Sequence, residues 1–398
     1  MKNYYHPLNT NDSSRQPVII WNSKKLPVPI NLFDTADSVN KKKPIKKVDF
    51  WITINPSISN KTIERILKNN LVKVIRISSS KYKSDLAIVD EIKRIRKIIG
   101  IKKIEIALDL SGPKVRISAI NKLSQENKLN IYNGDKVVFV PENNLNEDFL
   151  KRHQNYKVVP YKGEIYKSVK SDFLLVSDGW NQFKIIKELD SIYYCEALHE
   201  FILYNQRGID IVGMYDRELP MQIISQDTLS TLLLANVLNY LDWICISFAN
   251  SSKIINEVKN YIKTLGNFDI KLMAKIETKT SLENINQICD VSDGIMIARG
   301  DLAVQLAVYG IDMIKAEDIV RKVCSTKDTD CVIATRVADS LDGTQKKLSE
   351  NELYLLKHEI FSNHPLTLML ANETSEDESA EANFKIVVQV INGILVKK

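Results

Sequence analysis

The chain lacks any apolar run approaching the roughly 18 residues that a membrane span requires, and its opening stretch, MKNYYHPLNTNDSSRQ, lacks the apolar core of an export signal. A cytoplasmic protein with no membrane partner is the expectation. Cysteine is scarce as well. Cys195, Cys245, Cys289, Cys324 and Cys331 are odd in number, widely spaced and mostly set in apolar segments such as WICISF and CVIAT. That pattern offers neither a disulfide framework nor a CxxC metal site, and it fits buried structural thiols. Internal repeats are missing, as is low-complexity sequence outside one basic segment at the N-terminus.

That segment accounts for the charge. The net charge of +6 is carried by residues 1–47, where nine Lys or Arg face three Asp or Glu, and the remainder is neutral. Five of the eleven prolines fall in the same stretch, which closes on KKKPIKK. Residues 1–46 therefore read as an extended basic arm outside any domain core. No aromatic-interleaved basic face continues beyond it, so nucleic acid is not expected as a partner. With 44% apolar residues over 398 positions, the rest can bury a full-sized core and a second, smaller one.

From residue 47 short apolar runs alternate with amphipathic segments, the signature of βα units around a parallel sheet. Strand candidates fall at 47–54, 71–78, 104–110, 243–248, 269–276, 293–299, 330–336 and 365–370. All but the third are followed by apolar residues spaced at three and four, as in SLENINQIC (281–289) and IDMIKAEDIVRKVC (311–324), which predicts helices. Eight such units close an α/β TIM (β/α)8 barrel. The third connection differs: KVVFVPEN, SDFLLVSDGWNQFKII and SIYYCEAL read as hairpin strands of an all-β insert. The helical pattern resumes at 225–241. The predicted organisation is an arm at 1–46, a barrel from 47–116 and 217–398, and a β-barrel-like insert over 117–216.

In a TIM barrel the active site gathers at the C-terminal ends of the strands, and several of those ends are polar here. The fifth ends in Lys275-Ile276-Glu277, whose period-two alternation sends both charges to one face at the barrel mouth. There they must pair with each other, a metal or a ligand. The neighbouring sixth ends in Ala298-Arg299-Gly300-Asp301, where Gly300 lets backbone N–H groups approach an anion. Glu277 and Asp301, from adjacent strands, suit Mg2+ or Mn2+ that draws its remaining oxygens from water and an oxyanion substrate. Lys275 beside them would neutralise a developing enolate. A structural Lys–Glu–Asp network is the other reading of the same residues. The second strand offers Arg76, Ser78 and Ser80 on one face, the arginine suited to phosphate and the serine oxygens to a cation. Asp109 ends the third strand, and Arg116 follows the Ser111-Gly112-Pro113 turn. Singly, each reads as a strand-end salt bridge. Together, Arg76, Arg116 and Lys275 around acid groups favour a phosphorylated carboxylate as ligand.

The segments LDLSGPKVR (108–116), MAKIE (273–277), SDGIMIARGDL (292–302), CVIATR (331–336) and MLANET (369–374) resemble the pyruvate kinase family in order and spacing, with VIRISSS (74–80) a weaker match. KIE followed by SDGIMIARGDL is the most specific part. The likeness runs from about residue 47 to the end of the sequence, and the insert, with VSDG at 176–179, resembles that family's mobile B domain. The resemblance implies a phosphotransferase that moves phosphate from phosphoenolpyruvate to ADP or another nucleoside diphosphate, giving pyruvate and ATP. It implies that Glu277 and Asp301 hold Mg2+ or Mn2+, that Lys275 stabilises the transferring phosphoryl group and the enolate, and that Arg76 holds the phosphate. Ser78, Ser80 and Asp109, with the backbone of Leu110, would line a K+ site. Thr335 and the amides of Arg299, Gly300 and Asp301 would contact the substrate carboxylate, while Arg116, Asp178 and Arg207 would face the nucleotide.

The family pattern is not copied throughout. Ser78 stands for an asparagine among the K+ ligands, Lys81 for a histidine, Asn55 for a glycine, Arg336 for a glutamine, Ala371 for a serine and Asn250 for an arginine. KKLSENE replaces PTRAE, and Arg207-Gly208-Ile209-Asp210 stands where KGVN is usual. The nucleotide side thus diverges more than the enolpyruvate side. Two further readings keep the pocket: an enolate enzyme with a non-nucleotide acceptor, and a catalytically weak regulatory homologue. The family's C-terminal regulatory domain has no counterpart before Lys398, and the expectation is a monomer or homodimer without sugar-phosphate regulation.

Overall fold

The computed structural model describes residues 47–396 apart from 119, 121–127, 164–171, 178, 180, 212, 213, 215–225, 308, 342–346, 363 and 364. The basic arm at 1–46 and Asp178 lie outside the described residues. Two compact units divide the chain, one between Pro113 and Tyr215 and the other built from the sequence on either side.

Strand propensity and alternation shape the larger unit. Its eight strands are Val48–Ile54, Val72–Ser78, Glu105–Asp109, Trp243–Ile246, Lys271–Ile276, Gly294–Ala298, Asp330–Ala334 and Leu366–Leu370. They close a barrel in chain order, with Trp51 of the first strand opposite Met369 of the eighth in a parallel register. One residue or more from every strand enters a single buried cluster: Trp51, Val74, Ala107, Trp243, Met273, Met296, Val332 and Met369. A cluster fed by all eight strands is the barrel interior, a packed core and not a pore. The Trp51 and Trp243 rings approach within it at 5.6 Å between centroids. The alternate residues Ile52, Ile75, Ile106, Ile244, Ile295 and Leu368 are equally buried and by the two-residue period lie under the helices.

Helices start where a short polar side chain can take up an orphan backbone N–H. Ser59, Ser84, Ser251, Thr278, Asp312 and Ser349 do so at six of the helices. Two helical segments depart from the periodicity. The one expected at 281–289 is broken at Asn284 into Lys279–Glu283 and Ile285–Val291. The one expected over 225–241 is a helix only over Gln226–Leu234. It stops because Asn236 takes left-handed backbone, φ 54°, and the N–H groups of Asn236 and Val237 return to the carbonyls of Leu233 and Leu232, a Schellman arrangement.

The smaller unit is a closed sheet in the order Ile192–Ala197, Lys136–Pro141, Lys157–Lys162, Val115–Ile117, Gly208–Ile211, Phe173–Val176 and Asn181–Leu189. A separate pair joins Lys128–Ile131 to Phe201–Tyr204. Phe139 and Phe183 meet edge to face at 4.9 Å in its core. Besides the strands, its described residues include the short α-helix Glu147–Arg152, capped by the Asn146 side chain.

The Asn236 turn gives a clean check. A residue with a Cβ and no local polar side chain costs about 1 kcal/mol or more in left-handed backbone. Asn236→Ala is expected to lower unfolding free energy by about 1 kcal/mol in urea titration, whereas Asn236→Gly is expected to be neutral or slightly stabilising.

Candidate active site

The polar ends of the second, third, fourth and fifth strands meet in one charged cluster. Strand register sets Ser78 opposite Asp109 and Asp109 opposite Cys245, so the side chains that follow converge. Lys275 Nζ lies 3.4 Å from Asp109 Oδ2 and 3.0 Å from Glu277 Oε1, and it donates to Ser247 Oγ at 2.9 Å. Arg76 donates to Asp109 Oδ2 through Nε at 2.8 Å and Nη2 at 2.5 Å, and through Nη1 to Thr53 Oγ1 at 2.9 Å. Among the described residues, part of the arginine fork is left unspent. Ser247 in turn donates to the Leu110 carbonyl at 3.0 Å, and Glu277 Oε2 accepts the Phe248 N–H at 2.6 Å. The side chains of Asp109 and Glu277 are 3% and 2% exposed, those of Lys275 and Arg76 11% and 13%.

Burial and pairing compete for each proton. Burial alone would raise Asp109, but Lys275 and Arg76 outweigh it and hold the carboxyl below its ordinary value. Burial alone would lower Lys275, yet Asp109 and Glu277 together keep it above the usual lysine range. Glu277 is pushed up, first by burial, against the pull of Lys275 and with the push of the Asp301 charge. Two cations therefore stand among three carboxylates, counting Asp301.

Arg299 opens the helix Arg299–Ala307, and its Nε and Nη2 are spent on Glu317 and Glu359 in the helix layer. Its Nη1 is buried and finds no hydrogen-bond partner among the described residues. The Gly300 N–H donates to Thr335 Oγ1 at 2.7 Å, so two groups expected on one carboxylate face each other directly. Ser80 does not continue the second strand: Ser79–Lys81 is a 3-10 turn, and Ser80 reaches Ser78 through a 3.1 Å hydroxyl contact. Ser79, not singled out from the sequence, meets Ser111 Oγ at 2.9 Å. In the smaller unit, Arg116 donates to the Gln206 carbonyl at 3.0 Å and stands opposite Gly208 in the sheet, beside Arg207.

Thr53, Ser247 and Glu373 were missed. Ser247 follows the apolar WICI run, and a hydroxyl at a strand end carries no charge to draw attention. Glu373 lies in the turn after the eighth strand and accepts the N–H groups of Ala371 at 2.7 Å and Ala338 at 3.1 Å. Burial, and then Asp339, push it up to about 8. It was legible as the acid of MLANET.

With this geometry in hand, comparison with known proteins is decisive for ancestry. Residues 45–351 match the family described as pyruvate kinase, barrel domain. This chain belongs to the pyruvate kinase family. It is similar to the pyruvate kinase of Clostridium perfringens, 26% identical over 75% of this chain and 60% of that protein. It is also similar to that of Methanocaldococcus jannaschii, 27% identical over 75% and 58%, and to that of Buchnera aphidicola, 30% identical over 66% and 53%. The chain thus spans between half and three fifths of the length of these relatives. Among solved structures, the pyruvate kinase from Pyrobaculum aerophilum superposes with a TM-score of 0.66 at 20% identity, covering 87% of this chain and 73% of that one. The fold is therefore that of the pyruvate kinase barrel. Among the described residues, no helix is long and apolar enough to cross a membrane.

A divalent cation fits the chemistry of the rim. Glu277 and Asp301 are close enough for one charge to raise the other, a repulsion that a bound cation relieves. Among the described residues no group of three or more His, Cys, Asp or Glu could hold a metal, so an ion at this pair would complete its shell with water or substrate oxygens. The monovalent set fits less well. Asp109 already faces two cations, and the Leu110 carbonyl is taken by Ser247.

Two expectations follow. A Cβ at Gly112 would come within 2.7 Å of Ser247 Cβ and 2.8 Å of Phe248 Cδ2, displacing the residues that hold Lys275 and Glu277. Gly112→Ala is expected to lower the unfolding free energy by about 1–3 kcal/mol, the usual cost of overpacking a filled site, as read in urea titration. For Glu373 the folded pKa is raised, so its contribution to stability is full below the unfolded value and is lost as pH climbs through about 8. The melting temperature should fall between pH 6 and pH 9, and Glu373→Gln should flatten that slope in pH-dependent calorimetry.

Proposed function

We propose that this protein is a pyruvate kinase-like phosphotransferase that carries phosphate from phosphoenolpyruvate to ADP or another nucleoside diphosphate in the cytoplasm. The observation that carries the reading is Lys275, a buried ammonium kept charged by Asp109 and Glu277 at the mouth of the barrel. A fixed cation in a water-poor site stabilises negative charge that develops on an enolate or a transferring phosphoryl group far more than it does in water.

In this reading Glu277 and Asp301 hold Mg2+ or Mn2+. When bound, such an ion supplies Lewis-acid polarisation of the enolate oxygen. The present two cations and three carboxylates are short of positive charge for a phosphorylated carboxylate, and a divalent ion reverses the balance. Arg76 offers its unspent donors to the phosphate while Asp109 and Thr53 fix its plane. Thr335 and the Gly300 amide, already 2.7 Å apart, exchange their mutual hydrogen bond for the substrate carboxylate. Arg116 and Arg207 of the insert, with Asp178, are assigned to the nucleotide. A K+ ion near Ser78, Ser80, Asp109 and Leu110 would find a weak field.

The test combines a mutation with a choice of acceptor. Lys275→Met should leave the fold intact and lower turnover at least about a hundredfold, the usual loss for one preorganised charge-stabilising group. Wild-type protein with phosphoenolpyruvate, Mg2+ and K+ should release pyruvate only when a nucleoside diphosphate is present. Release without an acceptor, or a folded Lys275→Met variant of near wild-type rate, would remove the reading.

A further inference from the structure

Behind the rim lies a second group of buried charges that the proposed reaction leaves without a part. Arg299 Nε and Nη2 donate to the two carboxylate oxygens of Glu317 at 2.7 and 2.9 Å, and Nη2 also donates to Glu359 Oε1 at 2.7 Å. Arg321 Nη1 pairs with the other oxygen of Glu359, while its Nη2 donates to Ser362 Oγ and to the Glu359 carbonyl. All four ionic side chains are at most 2% exposed. Three elements are tied by it: the first turn of the helix Arg299–Ala307, the helix Met313–Lys327 with Glu317 and Arg321, and the helix Glu350–Ile360 with Glu359.

Such a cluster is a poor way to add stability, because apolar residues of similar volume do as well or better once desolvation is counted. What it does give is direction. Arg299 is one residue from Gly300 and two from Asp301, so the turn is gripped on its outer side by ion pairs and on its inner side by Thr335, which accepts the Gly300 N–H. A planar guanidinium held through Nε and Nη2, with two bonds to Glu317 and one to Glu359, leaves its own Cα little freedom. Relaxing the outer grip lets the turn move, and the Asp301 carboxylate moves with it.

We propose that Glu317 and Arg321 are positioning residues: Glu317 directly, and Arg321 through Glu359, hold the Arg299 side chain and thereby set the Gly300 amide and the Asp301 carboxylate for a divalent cation and an anionic substrate. The proposal rests on the reading of Asp301 as a metal ligand. It places affinity control in two outer helices, in residues that touch neither metal nor substrate.

The test uses full-length Glu317→Gln, Arg321→Met and Arg321→Lys. Mn2+ binding is measured by electron paramagnetic resonance with and without oxalate, alongside KM and kcat for phosphoenolpyruvate, amide exchange over residues 299–307, and the melting temperature. Loss of a residue that orients a ligand typically costs about tenfold or more in metal affinity. Glu317→Gln and Arg321→Met should therefore weaken Mn2+ binding and raise KM about tenfold, change kcat less, and speed exchange over 299–307. Arg321→Lys, which keeps the charge, should recover most of the loss. Wild-type Mn2+ affinity and exchange in the folded variants would overturn the proposal, as would a lowered melting temperature with both unchanged. Should Arg321→Met fail to fold, Glu317→Gln, which keeps the side-chain volume, decides by the same readouts. If wild-type protein itself binds no Mn2+, the metal reading fails, while exchange over 299–307 still decides whether the cluster holds the turn.

Discussion

Lys275 can stay charged inside the barrel mouth only while Asp109 and Glu277 stand beside it, and each of those carboxylates needs its own support. Asp109 Oδ2 also accepts from Arg76, Glu277 takes the Phe248 N–H, and Ser247 joins Lys275 to the Leu110 carbonyl. Removing one partner from such a buried set strands a charge at a cost of about 3–5 kcal/mol. Four strands are thereby locked at their C-terminal ends by electrostatics, while the apolar layer of Trp51, Trp243, Met273 and Met296 below them is set by packing. The two layers answer different demands. Packing fixes where the strands run, and the ion pairs fix where the chemistry-bearing atoms point.

That division explains what could be read from the sequence. Barrel strands announce themselves because both faces are buried, which writes near-continuous apolar runs such as WICI and GIMIA. Helices with one buried face are equally plain by period. What escaped was local and depended on backbone conformations that no period records. Asn236 ends its helix early through left-handed backbone, and Asn284 breaks another helix in two. The helix Glu147–Arg152 within the insert is a single capped turn or so, too short to establish a period.

At the site, charge was legible and partnership was not. Lys275, Glu277, Asp109, Arg76 and Asp301 stand out as ionisable residues at strand ends, and the structure brings them together. Thr53 and Ser247 are neutral hydroxyls whose importance lies wholly in what they touch. Arg299 is the converse case. Its charge is plain in the sequence but its partners are not, since Glu317 and Glu359 lie many residues away on helices whose polar faces look solvated in sequence. Only the fold reveals that those acids are buried and waiting for a guanidinium.

The rim also stores backbone strain. Phe248 after the fourth strand has φ 54°, and Thr335 and Arg336 after the seventh have φ 61° and 52°, left-handed values that cost a residue with a Cβ about 1 kcal/mol or more. A β-branched threonine is especially disfavoured there. Two of the three are held by a bond that belongs to the site: the Phe248 N–H donates to Glu277, and the Thr335 hydroxyl accepts the Gly300 N–H. Relaxing either backbone would release its partner, and those partners are a proposed metal ligand and the amide next to one. The cost of the strained turns is therefore coupled to the placement of Glu277 and Asp301. A substitution that relieves the strain should disturb the rim even when it improves the local backbone, which is the sense in which stability and chemistry oppose one another at this barrel mouth.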